Sequence, residues 1–434
     1  MSTFIPWKIL HLELSEGIPA LPAEPDYQGV YIVFWWHGVP LGDHAISVDQ
    51  LPMSATELAN LMVQTITPAV GDRLLPQGFK AALSEHPVHQ PPDIPPDFYA
   101  LLALNRPLER LDECLSNESD GEAVSVVICT RDRPEQLEKC LRSLHSLSQP
   151  PQEIIVVNNA PATEATKEVV SQIPDVRYIL EPRPGLSVAR NTGIRHSTGK
   201  IIAFTDDDVA VHPDWIRRIQ QGFENPQVMA VTGLVLPGEL ETESQLTFQT
   251  GHGNFSWGYR KRIFDQQFFE SIQPLGVPVW RIGAGANMAF RREIFEQVGN
   301  FDERLGAGAS GCSEDSEFWY RVLAEGWLCR YEPTAVVFHY HRKELERYKQ
   351  QMYQYMRGHV VALLVQFARY GHWGNLIRLF VILPGYYAKV LLGGILRGFG
   401  LRHKILVTEI FGCLAGIKFY LQHRDYAKKL ADIS

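Results

Sequence analysis

Three aspartates in a row, Asp206, Asp207 and Asp208, follow directly on the apolar run KIIAFT (200–205). Adjacent carboxylates repel one another unless a cation screens them, so such a run is costly as scaffold alone. Hard oxygen ligands at a strand end suit Mg²⁺ or Mn²⁺, which keep water and bind substrate phosphates through one or two carboxylates. The plainer alternative is a solvated acidic turn ahead of the helical stretch near 213–221. A second acidic pair, Glu314-Asp315, opens the segment SEDSEFWYRVLAEG. There the plain role is an N-terminal cap with favourable dipole charge, which leaves room for a chemical role as well.

The elements that must position these groups begin at Val124. VSVVIC (124–129) and EIIVVN (153–158) are continuous apolar runs, as expected of parallel strands buried on both faces. Helical patterns lie between the strands in PEQLEKCLRSL (134–144), near 164–171 and in SVARNTGIRHS (187–197), and VRYIL (176–180) adds a short strand. Alternating strands and helices predict a mostly parallel sheet with right-handed crossovers. Ligands of such sheets sit at the carboxyl ends of the strands, where the order switches. Three strand ends carry polar signals there: Thr130-Arg131, Asn158-Asn159 and Asp206-Asp207-Asp208.

The run from Val124 to His341, about half the chain, resembles the catalytic domain of glycosyltransferase family 2, which has the GT-A fold. The resemblance rests on VSVVICTRDRPEQLEKCLRSL, EIIVVNNA, RPGLSVARNTGIRHSTGKIIAFTDDD, GAGANMAFRREIF, SEDSEFWYRVLAEGW and EPTAVVFHYHR, in that order. It implies that Asp206 and Asp208 are the outer carboxylates of a DxD motif around Asp207. Asp208 then reaches a divalent metal on the donor diphosphate, and Asp206 the ribose or uracil side and the metal site. His339 matches a late histidine that completes the metal site, with His341 as a rival two residues on. Asp315 matches the general base and Glu314 its supporting neighbour. An acceptor hydroxyl is a poor nucleophile until a positioned carboxylate takes its proton, and attack from the opposite face inverts the anomeric centre.

By the same resemblance Thr130, Arg131 and Arg133 contact the nucleotide. Asn158 stands where most members have Asp, so the expectation of a uridine donor rests on its amide oxygen accepting from the base. Arg183, Arg190 and Asn191 line the donor pocket, and an arginine there screens diphosphate charge. Gly283, Gly285 and Asn287 form the wall between donor sugar and acceptor. Trp257, Trp280 and Trp319 are either sugar platforms or core. GLSVARNTG is not a GxGxxG dinucleotide fingerprint and no GxxxxGK[ST] occurs, which leaves NAD binding and P-loop ATP hydrolysis without support.

Outside this core, residues 1–85 read as a small α+β unit: strand and turn over 29–42, then an amphipathic helix over 54–66 opened by a Ser cap. Five prolines in 86–98 mark a linker, taken as 86–122 with a helical piece at 101–115 and a polar run at 116–122. The catalytic domain is set at 123–345. Residues 346–434 form a helical, basic region. From Tyr340 onward 15 Lys and Arg face 5 Asp and Glu, a surplus of 10, whereas the whole chain carries −8. The apolar segments 360–367, 379–387, 390–396 and 410–417 are each shorter than the roughly 20 residues that span a bilayer. Basic residues interrupt them, so interfacial helices on an anionic membrane are expected rather than nucleic-acid binding. Six scattered cysteines and the absence of a secretory signal predict a cytoplasmic protein at the inner face of the cell membrane.

The expected function is inverting transfer from a nucleotide sugar, UDP-linked, to a carbohydrate or lipid-linked acceptor. Its rivals are a sugar nucleotidyltransferase and a non-catalytic carbohydrate-binding protein of the same fold.

Overall fold

The computed structural model describes residues 4–74, 107–109, 111, 121–250, 257–397 and 401–424. The proline-rich stretch 86–98 and nearly all of the expected helical piece and polar run lie outside them. The N-terminal unit is a three-stranded sheet, β1 (Trp7–Glu13), β2 (Gly29–Trp36) and β3 (Val39–Ser47), followed by α1 (Ala55–Leu74). β1 is additional to the expected elements; it runs parallel to β2, and β3 antiparallel. Ser54 caps α1 in a reciprocal box with Glu57. The helix continues past Pro68, beyond the expected end, because Val70 and Leu74 still bury against the sheet.

Every residue of β2 is buried, because both its faces are covered. Ile32 and Phe34 pack with Leu58, Met62 and Ile66 of α1. On the other face Tyr31, Val33 and Trp35 pack with Leu234, Leu236 and Val336 of the larger sheet. Each such side chain contributes about 1.5–3 kcal/mol of burial, so this docking is not marginal.

The larger sheet holds nine strands: β4 (Val124–Thr130), β5 (Glu153–Asn159), β6 (Val176–Glu181), β7 (Ile201–Asp206), β8 (Val209–Val211), β9 (Val228–Pro237), β10 (Arg262–Phe264), β11 (Asn287–Arg291) and β12 (Leu328–His339). Their order is β10-β12-β9-β11-β7-β4-β5-β6, with β8 beside β12. β7, β4, β5 and β6 are parallel, joined by α2 (Pro134–His145), α3 (Ala165–Ser171) and α4 (Leu186–His196). β11 runs antiparallel between β7 and β9. The chain therefore switches direction around β4, with β5 on one side and β7 on the other. Thr130 lies level with Asn158, and Cys129 with Asp206, so three polar strand ends meet at one edge.

Five helices fill the second half of this domain: α5 (Trp215–Gly222), α6 (Glu243–Thr250), α7 (Gln266–Ile272), α8 (Ile294–Val298) and α9 (Glu314–Ala324). The fold class is the one expected, a GT-A mixed sheet with a small N-terminal α+β unit and a helical C-terminal region. That region contains α10 (Leu345–Tyr370), α11 (Gly374–Ile377), α12 (Leu383–Arg397) and α13 (Leu401–His423). A π-helical turn, Arg378–Ile382, joins α11 to α12. The runs 379–387 and 390–396 are not separate short segments but parts of one helical stretch, Gly374–Leu396. That stretch of 23 residues, and Ile405–His423 with 19, are long and apolar enough to cross a membrane. Phe380, Leu392, Ile395 and Leu396 on the first, and Phe411 and Leu414 on the second, are exposed. Gly412 and Gly416 seat α13 on α10: a Cβ there would meet the carbonyls of Tyr353 and Arg357 at 2.5 and 2.7 Å. This is close helix contact of the small-residue kind.

Candidate active site

A cavity of about 860 Å³ opens at the carboxyl edge of β4 and β7. Its wall includes Thr130, Arg131, Arg133, Arg190, all three aspartates 206–208, Gly283, Gly285, Glu314, Asp315 and His339. Carboxylates more than a hundred positions apart in the chain thus share one space.

The acidic run divides into unequal parts. Asp207 turns inward, where it accepts from Thr130 Oγ1 and Arg133 Nη1, each at 2.7 Å. Burial and the neighbouring Asp208 raise its carboxyl to about 6. Asp208 Oδ2 takes a bond from Arg133 Nη1 at 2.9 Å, and Oδ1 lies 3.0 Å from His339 Nε2. Burial alone would raise Asp208, but His339 and Arg133 outweigh it and hold the carboxyl well below the usual range. Burial would lower His339, and Asp208 outweighs that, raising the imidazole. Asp206 is raised, chiefly by burial, and its nearest cation is Arg190 at 3.6 Å.

His341 does something else. It packs on Phe248 and meets His339 edge-on at 4.4 Å, and burial drops its pKa to about 3. It is a neutral wall residue; only His339 touches Asp208.

Arg190 joins the two acidic centres. Almost wholly buried, it donates from Nη1 to Glu314 Oε1 at 2.6 Å while its Nη2 faces Asp206 Oδ1. Nη2 also reaches the Gly285 carbonyl at 3.5 Å. Glu314 begins α9 behind Ser313, a buried residue held left-handed at φ 71°. Such a conformation costs a non-glycine residue about 1–2 kcal/mol and aims the first turn of the helix at the cavity. Burial lifts Glu314 to about 7 against the pull of Arg190. Asp315 Oδ1 accepts from Ser316 N and Oγ, at 2.6 and 3.1 Å. Its Oδ2 points across the cavity: a Cβ on Gly285 would lie 3.1 Å from it and 2.9 Å from Arg190 Nη2. Gly285 is therefore where close approach requires the missing side chain.

Other expected site residues lie elsewhere, each for a visible reason. Asn287 is buried under the sheet, accepting from Trp215 Nε1 and donating to the carbonyls of Leu234 and Ala335. Asn191 pairs with both backbone groups of Phe301. Arg183 is half exposed and paired with Glu303 and Glu181. Asn158 is sealed within β5, bonded through Nδ2 to the Tyr178 hydroxyl, with Oδ1 buried and unpartnered. Its neighbour Asn159 is the one on the cavity wall, where it holds the Arg183–Gly185 turn through Arg183 O and Gly185 N. Of the tryptophans, Trp319 is core, Trp257 donates to the Arg281 carbonyl, and Trp280 alone lines the cavity.

Sequence reasoning also missed the tail's share. Met352, Tyr355, Met356 and His359 of α10, with Arg378, Ile382, Leu383, Tyr386, Tyr387 and Glu409 beyond it, complete the cavity wall. Most of these residues offered only apolar or aromatic character in the sequence, which equally fits a membrane face.

Among the described residues no group of three or more His, Cys, Asp or Glu is arranged to hold a metal by itself. Asp208 and His339 in contact, with Asp206 alongside, form an incomplete donor set. That suits an oxygen-seeking divalent ion that takes its remaining ligands from a diphosphate and water.

An α/β domain with paired acidic centres facing one cleft across a buried arginine is the class of protein that fold and site define. Residues 125–299 match the model of "Glycosyl transferase family 2". Among curated relatives, the glucosyl-dolichyl phosphate glucuronosyltransferase of Haloferax volcanii is 28% identical over 191 residues, 42% of this chain and 57% of the relative. The pre-mycofactocin glycosyltransferase of Mycobacterium tuberculosis is 28% identical over 225 residues, 51% of this chain and 43% of the relative. The succinoglycan biosynthesis protein ExoM of Rhizobium meliloti is 27% identical over 226 residues, 49% and 65% respectively. The chain thus spans about half the length of the curated relatives it matches. A solved mannosyltransferase from Pyrobaculum calidifontis, in complex with GDP-Man and Mn²⁺, overlays with a TM-score of 0.45 at 17% identity, covering 71% of this chain and 93% of its own. That likeness is too low to carry an argument.

Proposed function

We propose that the chain is an inverting glycosyltransferase that moves a sugar from a nucleotide-diphosphate donor, UDP-linked, to a hydroxyl of a glycan or lipid-linked acceptor. One observation carries this reading: Asp208 with His339, and Asp315, face a single cavity with Arg190 buried between their two centres. A donor lies with its diphosphate toward Asp206 and Asp208 and its sugar toward Gly283–Gly285. Arg131, exposed on the wall, is the cation available to the nucleotide. Thr130 and Arg133 act one step back by holding Asp207 and Asp208 in place. Arg183, Asn191 and Asn287 keep the surrounding loops and strands in register.

Asp206, Asp208 and His339 would hold a divalent cation, Mg²⁺ or Mn²⁺, which when bound neutralises charge on the departing diphosphate. The chain's own residues do the rest. Asp315 Oδ2 accepts the acceptor hydroxyl's proton as its oxygen bonds to the anomeric carbon, and the bond to the diphosphate breaks on the opposite face. Ser316 fixes the other oxygen of Asp315. Arg190 and Glu314 hold that carboxylate's helix turn against the wall. The division into 1–85, 86–122, 123–345 and 346–434 is retained as accessory unit, linker, catalytic domain and membrane-facing region. The last is assigned to the inner face of the cell membrane, where its exposed apolar helices meet lipid.

The test is a pair of variants. Asp315→Asn should lower transfer by about 10²–10⁴-fold while calorimetry still finds donor binding that depends on Mn²⁺. Asp208→Ala should lose that metal-dependent binding. Full transfer by the first variant, or unchanged binding by the second, removes the residue from its role.

A further inference from the structure

His339 ends β12, and the strand that carries it is interrupted. β12 pairs with β9 in an inner run that ends at Glu332 and an outer run, Val336 to His339, set against Leu234 to Pro237. The register shifts between the two, with Pro333, Thr334 and Ala335 intervening. A bulge of this kind re-aims a strand, so the outer run does not inherit its position from the inner one. Val337, Phe338 and His339 pair antiparallel with Val211, Ala210 and Val209 of β8, and Tyr340 N donates to the Asp208 carbonyl at 3.0 Å. Asp208 and His339, already in contact through their side chains, thus sit where β8 and the outer run of β12 meet.

The support behind this pair comes from the N-terminal unit. Side chains alternate along a strand, so Val337 and His339 face one way and Val336 and Phe338 the other. Val337 packs with Val209 and Val211, whereas Val336 and Phe338 pack with Tyr31, Val33 and Trp35 of β2. Trp35 reaches both strands at once. Its ring stacks on His212, just past β8, at 5.3 Å and 10°, and lies 6.4 Å from the Phe338 ring. His11 of β1 meets Phe338 edge-on at 5.4 Å and accepts from Trp35 Nε1 at 3.1 Å, which orients the indole. His212 N donates in turn to the Val336 carbonyl at 3.0 Å.

We infer that Trp35 is a positioning residue for the metal site, and that the N-terminal unit serves the reaction by holding Asp208 and His339 at the spacing a divalent ion requires. This rests on the glycosyltransferase reading above. Trp35 lies behind the cavity wall rather than on it, and acts through Phe338, one residue from His339, and His212, four from Asp208. Without the indole, β8 and the outer run of β12 lose the one side chain that spans them from behind, and the two ligands no longer share a fixed distance.

The test titrates Mn²⁺ into the full chain in dodecyl maltoside with UDP present, reading free Mn²⁺ from its paramagnetic resonance signal. Trp35→Ala should weaken Mn²⁺ binding by about tenfold, the lower end of what loss of support behind metal ligands costs. Trp35→Phe, which keeps a ring against Phe338 and His212, should restore most of the affinity. Phe338→Ala approaches the same contact from the catalytic side, and the double variant should be no weaker than the weaker single one. Leu58→Ala loosens the N-terminal unit in its own core, on the face of β2 away from Phe338, and should lower the melting temperature while leaving Mn²⁺ affinity in place. Wild-type affinity in folded Trp35→Ala overturns the inference; if that variant does not fold, wild-type affinity in Phe338→Ala does so. An equal loss in Leu58→Ala overturns it as well, since general loosening then suffices. Wild-type binding that disappears in Asp208→Ala upholds the metal reading itself, so an unaltered Trp35→Ala then refutes the positioning role alone. Absence of Mn²⁺ binding by the wild type overturns both.

Discussion

Replacing Arg190 by Met removes the one cation that joins the two acidic centres, and the structure sets both the size and the pH dependence of the result. Arg190 is 3% exposed and Glu314 7% by side chain, so neither charge is relieved by solvent. Breaking a buried pair by deleting one partner costs about 3–5 kcal/mol when the survivor stays charged. Glu314, however, can take up a proton. Its carboxyl is already lifted to about 7, above its ordinary value of 4.5, so its contribution to folding is fully present below pH 4.5 and lost as pH rises through 7. Without Arg190 its pKa rises further. The wild type then ionises Glu314 above pH 7 while the variant keeps the proton, and the stability gap widens by about 1.4 kcal/mol per pH unit. Urea unfolding at pH 6, 7, 8 and 9 measures this directly. Near pH 6 the packing loss of a buried side chain, about 1–3 kcal/mol, remains together with the loss of Asp206's nearest cation. Adding Glu314→Gln should remove the larger, Glu314-dependent part of this pH dependence and leave only the share of Asp206, which also faces Arg190 at 3.6 Å. A gap that stays constant from pH 6 to 9, or one that Glu314→Gln leaves in place, refutes the assignment of Glu314 as the group Arg190 neutralises.

Two further outcomes are expected. Glu332 is buried, and although burial would raise its carboxyl, Lys261 and Arg330 outweigh that and lower it to about 2. Its stabilisation is present above pH 4.5 and lost on acidification toward pH 2, so Glu332→Gln should remove about 2 kcal/mol of acid-dependent stability over the range from pH 7 to pH 3, read from urea midpoints. Leu392→Lys with Leu396→Lys places two charges on the most exposed apolar face of α12; partitioning onto anionic liposomes should fall despite the added positive charge, and unaltered partitioning would detach that helix from the membrane assignment.

The parallel half of the sheet was legible in the chain because continuous apolar runs bounded by polar residues leave little choice but buried strands. The acidic run was legible for the complementary reason: three like charges at the end of such a strand have no cheap structural purpose. Glu314-Asp315 stood out as a helix opening. Which neighbour faces the cavity was not legible. Successive side chains of a strand point to opposite faces, so Asn158 is sealed and Asn159 exposed to the cleft although both belong to one polar signal. The same holds where GAGANMAF enters β11, with Gly285 at the wall and Asn287 beneath it.

Sequence by itself determined the inventory: alternating elements, a strand-end acid cluster, an acid pair at a helix start, and a basic apolar tail. Those are local properties, fixed by periodicity and by the cost of unscreened charge. Only the tertiary structure decided that Arg190 is the link between the two clusters, that His339 rather than His341 touches Asp208, and that the tail walls the catalytic cavity. Each depends on groups far apart in the chain coming within a few ångströms, and a linear pattern carries no information on that distance until β4, β7 and α9 are packed against one another.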